Sequence, residues 1–294
     1  MNQEKTNSTS PFGGLGAKNV IITGGNAGIG LATSIALAKQ GANIYFVSRG
    51  KEKAEEAVKT IIAESGNKNV RYFLANLSSQ KSIRNLASEI KNEMSVIDVL
   101  INNAGGTFSD FTLSEDGLEM TIATNHFAYF LLTNLLLDLI EKSDYARIVN
   151  VSSGSHYKGK IDFESFTKKK SYFIMKAYEQ SKLANVLFTN ELAERLKGTN
   201  VTVNSLHPGF VKTQIGNKNA NWYSNLFWSI VTIGAISVED GAKTSVYLAS
   251  SPDVKGVTGK YFDKCKEKKA AALALEKELG KQLWKKSEEL CPIA

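Results

Sequence analysis

Tyr178 and Lys182 stand four residues apart in Ala177-Tyr178-Glu179-Gln180-Ser181-Lys182, a spacing that on a helix puts both side chains on one face. An ammonium beside a phenol stabilises the phenolate. That lowers a pKa of about 10 and lets the tyrosine exchange protons close to neutral pH. A second pair with the same spacing is Tyr172 with Lys176. Tyr178 runs straight into the periodic stretch SKLANVLFTNELAERL, whereas Tyr172 follows the lysines at 168–170 in a charged loop, where a solvent-facing pair is expected. Tyr178 is therefore the candidate for acid–base work.

A second chemistry-bearing stretch is Thr23-Gly24-Gly25-Asn26-Ala27-Gly28-Ile29-Gly30. Gly24 permits a tight turn, Gly28 lets the backbone approach a pyrophosphate, and Gly30 allows close helix–strand packing. Exposed N–H groups and the dipole at the start of the following helix favour a dianionic ligand. Gly24, Asn26, Gly28, Ile29 and Gly30 are thus candidate cofactor contacts. An acid about 20 residues beyond the glycines would mark a ribose diol. Here the next strand ends Phe46-Val47-Ser48-Arg49, and the first acid, Glu52, already lies in a helix. Arg49 suits a 2′-phosphate through its planar donors, with Ser48 beside it and Lys53 one helical turn on. NADP(H) is favoured over NAD(H).

The elements that must position these residues alternate along the chain. Short β-rich runs fall at 19–23, 43–48, 70–75, 98–102, 147–152, 201–206 and 260–262. Helical periodicity fills 28–40, 52–65, 79–93, 114–142, 176–197 and 238–250. That alternation predicts an α/β fold, a doubly wound parallel sheet of the Rossmann type covered by helices on both faces. Residues 1–16 read as a polar N-terminal tail and 17–294 as one domain, with a C-terminal helix over about 264–290 carrying most of the nine lysines found from Lys260 onward.

Taken together, the motifs resemble the short-chain dehydrogenase/reductase family over nearly the whole chain. They are T-G-x-x-x-G-I-G at 23–30, N-N-A-G at 102–105, Val149-Asn150-Val151-Ser152-Ser153, Y-x-x-S-K at 178–182 and His207-Pro208-Gly209. The loop between Ser153 and Tyr178 and the run S-K-L-A-N-V-L-F-T look most like the retinol dehydrogenase and WW-domain oxidoreductase branch. With about 16 residues before the first strand, neither a WW domain nor an anchoring helix is expected there. The resemblance implies a site in which Tyr178 donates or accepts the proton and Ser153 hydrogen-bonds the substrate oxygen. Lys182 would bind the nicotinamide ribose and tune Tyr178, and Asn125 would hold a relay water at a bend in its helix. It further implies cofactor contacts from Asn76 and Leu77, from Asn103, Ala104 and Gly105, and from Pro208, Gly209, Val211 and Thr213. Asn76 stands where the family commonly has Asp, and its carbonyl can still accept from adenine. His126 and His207 are read as packing residues.

On the substrate side, the resemblance points to residues 214–237 as a lid. Within it Trp222, Tyr223, Leu226, Phe227, Trp228 and Ile230 suit a pocket for a lipid-like carbonyl, with Phe108 and Phe111 lining the same space. The same run would equally suit peripheral membrane contact, core packing or a contact between copies in a homo-oligomer. No stretch reaches the roughly 18 apolar residues of a spanning helix. Cys265 and Cys291 are too few for a disulfide scaffold, and three histidines leave no metal site in view. The net charge of +7 admits nucleic acid, an anionic membrane or a phosphorylated ligand; with no aromatic-interleaved basic face, the phosphorylated ligand is preferred. The expectation is a cytoplasmic, NADP(H)-dependent oxidoreductase for hydrophobic aldehydes, ketones or alcohols. The rival readings are a double-bond reductase resembling protochlorophyllide reductase, and an NADP(H)-binding sensor or scaffold with little turnover.

Overall fold

The strands are short and apolar because both of their faces are covered. In β1 (Asn19–Thr23), Val20 and Ile22 point into one core and Ile21 into the other. The computed structural model describes residues 14–169, 171–209 and 236–293. Within them run α1 (Gly28–Lys39), β2 (Asn43–Ser48), α2 (Lys51–Ser65), β3 (Val70–Leu74), α3 (Gln80–Glu93) and β4 (Val99–Asn102). A short helical turn (Met120–Ile122) and a π-turn (Ala123–Phe127) lead into α4 (Ala128–Ile140) and β5 (Arg147–Val151). The chain continues through α5 (Ile174–Arg195), β6 (Thr202–His207), α6 (Val238–Ser250), β7 (Lys260–Asp263), β8 (Lys266–Lys268) and α7 (Lys277–Leu290).

The sheet order is β3-β2-β1-β4-β5-β6-β7-β8, parallel throughout except for the β7–β8 pair. Helices α3, α4, α5 and α7 bury one face, and α1, α2 and α6 bury the other. The order reverses between β1 and β4, and a crevice beyond the carboxyl ends of these strands is where such sheets bind ligands. The doubly wound parallel architecture expected from the sequence is thus present.

Three segments differ from expectation. The helix expected over 114–142 begins only at Met120, because Gly117, at φ 74°, turns the chain first and the buried Glu119 carboxylate then caps the Thr121 and Ile122 amides at 2.8 and 3.0 Å. The C-terminal helix begins at Lys277 rather than near Lys264. Lys264 and Cys265 take left-handed conformations (φ 51° and 59°), the geometry of a tight hairpin turn, so 266–268 pairs back on β7 as an edge strand. The expected lid, 214–237, lies outside the described residues apart from Ile236 and Ser237. Ser237 accepts from the Asp240 amide and caps α6. Among the described residues no helix is long and apolar enough to cross a membrane.

Candidate active site

The glycine turn leads from β1 into α1. Gly24 and Gly28 take left-handed conformations, at φ 66° and 51°. A Cβ on Gly30 would lie 2.1 Å from the Gly24 carbonyl oxygen, so α1 can approach the turn this closely only with glycine there. Ala27 precedes α1 without a side-chain cap, and its first turn carries no acid. The first amides of α1 are left to whatever binds there, which suits a pyrophosphate.

The turn is braced by β4. The Thr23 hydroxyl accepts from the amides of Asn103 (2.8 Å) and Ala104 (2.9 Å), and the Asn103 side chain donates to the Thr23 carbonyl at 2.8 Å. Asn103 is therefore a brace of the turn by both its side chain and its backbone amide, which leaves its backbone carbonyl to any cofactor. Asn102 points into the sheet, donating to Asn150 (2.8 Å) and Thr133 (2.9 Å), and Asn150 in turn donates to Thr189 of α5 at 3.0 Å. This buried chain ties β4, β5 and α5 together, although the sequence reading assigned Asn102, Asn150 and Thr189 no role.

At the end of β2, Ser48 is buried and its hydroxyl donates to the Gly50 carbonyl at 3.2 Å. Arg49 and Lys53 are exposed, and neither forms an ion pair with any described residue. Leu77 is buried in the core. Asn76 corrects one expectation. Its carbonyl oxygen accepts from the Ser78 amide and hydroxyl at 3.2 and 2.8 Å, so its side-chain NH₂, not its acceptor, is the group left to a ligand. Gly209 lies at φ 93° after Pro208, with the Ile236 side chain 2.5 Å from where its Cβ would be. Val211 and Thr213 lie outside the described residues.

The acid–base group comes from α5 and the segment after β5. Ser153 ends the extended backbone of β5 and starts a 3-10 turn (Gly154–Lys158), where its hydroxyl accepts from the Ser155 amide at 3.2 Å. Tyr178 is half-buried, and the Ser153 side chain is near enough to stabilise its phenolate form. Lys182, one helical turn along, is buried. Its Nζ donates to the Val151 carbonyl at 3.1 Å and sits 5.7 Å from the centre of the Tyr178 ring. Ser181, within the same motif but given no role from sequence, donates to the Tyr178 carbonyl (2.8 Å) and accepts from Asn125 (2.9 Å).

Asn125 lies in the π-turn, where the helical hydrogen-bond register widens. Its side chain grips Gly106, accepting from the amide at 2.8 Å and donating to the carbonyl at 3.0 Å. A Cβ on Gly105 would come within 2.9 Å of Asn125 Oδ1 and 3.5 Å of Lys182 Nζ, so this backbone passes directly over both groups.

The electrostatics correct the simple picture of a phenol made acidic by its lysine. Burial raises the Tyr178 pKa above its ordinary value, with the Ser153 side chain opposing the shift only in part. Burial lowers Lys182 to about 7, and it has no carboxylate partner among the described residues. Dehydration dominates both groups, because the Lys182 ammonium bonds a backbone carbonyl 5.7 Å from the centre of the ring, with no hydrogen bond to the phenol oxygen.

Tyr172 is not solvent-facing. Its hydroxyl donates to the Phe108 carbonyl at 2.8 Å and reaches Glu119 and Thr121 at 3.2 Å, while Phe111 meets its ring edge-on. Burial raises its pKa to about 12. It staples the 108–119 loop to the start of α5 and forms no hydrogen bond with Ser153, Lys182 or Asn125. Phe108 and Phe111 thus contact Tyr172.

His126, beside Asn125, is fully buried among Phe127, Phe130 and Phe188, and its Nε2 bonds Ser287 of α7 at 2.8 Å. Burial holds its pKa at about 3, far below the ordinary histidine value. The unfolded chain binds this proton below about pH 6.5 and the native chain does not, so stability falls with pH between these values by about 1.4 kcal/mol per unit for this group. His156 and His207 shift in the same direction through burial. His126→Phe is expected to reduce the steepness of the acid limb in urea titrations by about one proton.

The family comparison agrees with this arrangement. The family model described as short chain dehydrogenase matches residues 18–224. Human retinol dehydrogenase 13 is 44% identical over 280 residues, covering 93% of this chain and 84% of the relative. Mouse retinol dehydrogenase 14 is 40% identical, covering 99% and 91%. A crystal structure of an uncharacterised Mycobacterium paratuberculosis protein superposes with a TM-score of 0.75 at 30% identity, covering 96% of both chains. The glycine turn, the Ser153–Tyr178–Lys182 cluster and these matches lead to one conclusion: the chain belongs to the short chain dehydrogenase family of nicotinamide-dependent oxidoreductases, in its retinol dehydrogenase branch.

Proposed function

We propose that the protein is an NADP(H)-dependent oxidoreductase interconverting a hydrophobic aldehyde or ketone with its alcohol, with Tyr178 as general acid and base. The observation that carries this reading is the cluster of Ser153, Tyr178 and a buried Lys182, whose Nζ lies 5.7 Å from the Tyr178 ring centre with no carboxylate partner among the described residues. The bound nicotinamide supplies or takes up the hydride. In reduction, negative charge grows on the substrate oxygen, and the hydroxyls of Ser153 and Tyr178 stabilise it. Tyr178 then gives up its proton, and a phenol kept protonated by burial is in the form this step needs. Lys182 stabilises the phenolate left behind and would hold the nicotinamide ribose. Asn125 and Ser181 hold the 105–106 backbone and α5 in register. The π-turn at Asn125 disturbs the helical carbonyl ladder where a relay water would bind.

The uncapped start of α1, the glycine turn and an Arg49 with no ion pair among the described residues fit the diphosphate and 2′-phosphate of NADP(H). Asn76 would meet adenine as a donor. Arg49→Ala is expected to raise the KM for NADPH at least about tenfold while changing that for NADH less than about twofold, because only NADPH carries the extra phosphate. Equal effects on both cofactors would reject the 2′-phosphate role. The relatives are named as retinol dehydrogenases, which favours a long apolar carbonyl as substrate. The test is NADPH oxidation against retinoid, steroid and aliphatic aldehydes and ketones. Binding of NADPH without turnover of any of them would favour a sensor instead.

A further inference from the structure

The backbone of Ser153 is held by a histidine that the chemistry above does not use. His156 Nδ1 lies 2.7 Å from the Ser153 carbonyl oxygen, and Nε2 lies 3.1 Å from the amide nitrogen of Ala271. A backbone amide can only donate, so Nε2 must be the bare acceptor, and Nδ1 must carry the proton that it gives to Ser153. Only a neutral imidazole in this single tautomer makes both bonds. The ring has no freedom to leave: it is fully buried, with the Tyr157 ring 4.1 Å away and the Tyr261 ring 4.5 Å away, centre to centre. Tyr157 adds a parallel tie, donating from its hydroxyl to the Lys269 carbonyl at 2.5 Å. The segment after β8 is thus bonded twice to the 3-10 turn that presents the Ser153 hydroxyl.

We propose that His156 is a positioning residue. It clamps the Ser153 carbonyl and so aims the Ser153 hydroxyl at Tyr178 and the substrate oxygen, with Ala271 anchoring the clamp from the far end of the chain. This rests on the oxidoreductase reading of Ser153 and Tyr178. The clamp turns the 3-10 turn into a rigid mount: a displacement of about 1 Å at a reacting group costs on the order of 100-fold in rate.

Two substitutions separate the two ends of the ring. In His156→Asn, the amide NH₂ stands near Nδ1 and can still donate to the Ser153 carbonyl. In His156→Gln, the side-chain oxygen can reach the Nε2 position and accept from Ala271, leaving the Ser153 carbonyl only the bond from the backbone amide of residue 156, 3.1 Å long in the wild-type chain. Turnover of the best carbonyl substrate, KM for NADPH, melting temperature and hydrogen exchange of the 152–158 amides are measured on the full chain. The expectation is that His156→Asn keeps kcat within about threefold while His156→Gln loses more than about tenfold, with KM for NADPH unchanged in both. Amide protection of 152–158 should fall in His156→Gln and persist in His156→Asn. Equal kcat in the two variants, or loss in the asparagine variant alone, overturns the proposal. If the wild-type protein turns over no carbonyl, the functional reading fails, while the exchange comparison still decides the clamp: equal protection in both variants refutes it.

Discussion

Tyr178→Phe is expected to lower kcat by about 1000-fold, within the range of losses for a removed general acid, while the dissociation constant for NADPH stays within about twofold. The substitution deletes one oxygen from a half-buried ring and leaves the packing of α5 and the Lys182–Val151 hydrogen bond in place. Tyr172→Phe is the matched control, because it removes the other phenol that stands four residues before a lysine. Its hydroxyl bonds the Phe108 carbonyl and the buried Glu119, so its loss should cost about 1–2 kcal/mol of stability. Activity per folded molecule should remain within about threefold. Stopped-flow hydride transfer and urea unfolding on both variants check the pair. An active Tyr178→Phe beside an inactive, stable Tyr172→Phe would reverse the assignment.

Among the described glycines, Gly30 should be the one where an added methyl does most damage. In a helix, alanine is ordinarily favoured over glycine by about 1 kcal/mol. Here the added Cβ would stand 2.1 Å from the Gly24 carbonyl oxygen and 2.7 Å from Asn103 Nδ2, and neither is a flexible tip: one is backbone, and the other braces Thr23. Overpacking of this kind costs about 3 kcal/mol or more and outweighs the helix preference, for a net loss of about 2 kcal/mol. The larger effect falls on cofactor binding, because α1 can relieve the contact only by withdrawing its amides from the turn. NADPH affinity should fall by at least about 100-fold. Gly106→Ala provides the comparison: its Cβ meets nothing within 4 Å, and both backbone bonds to Asn125 survive. Fluorescence titration with NADPH checks both variants, and near wild-type affinity in Gly30→Ala would remove the close-approach argument.

Most of the scaffold was legible because the information is local. A strand covered on both faces is a short apolar run, and an amphipathic helix repeats every 3.6 residues, so the parallel strands and six helices could be located within a few residues. The exceptions arose where turn geometry overrode periodicity. Lysines at 264–269 look helical in spacing, yet a left-handed pair at Lys264 and Cys265 folds them into a hairpin edge. Ser114–Leu118 likewise stays a turn, because Gly117 and the Glu119 cap delay the helix.

The amino-acid sequence by itself determined the order of the elements, the glycine turn and the absence of an acid after β2, and it pointed to Tyr178 rather than Tyr172 as the acid–base candidate. All of these depend on neighbours a few residues apart. The tertiary structure alone decided how the groups behave. Burial raises Tyr178 and lowers Lys182, where spacing suggested the opposite for the phenol. It also decided that Tyr172 is a staple, that the Asn76 carbonyl is already engaged, and that Ser153 is held through His156 by Ala271, 115 residues further on. Dehydration and hydrogen bonding across such separations depend on which surfaces meet after folding, and residue spacing carries no record of that.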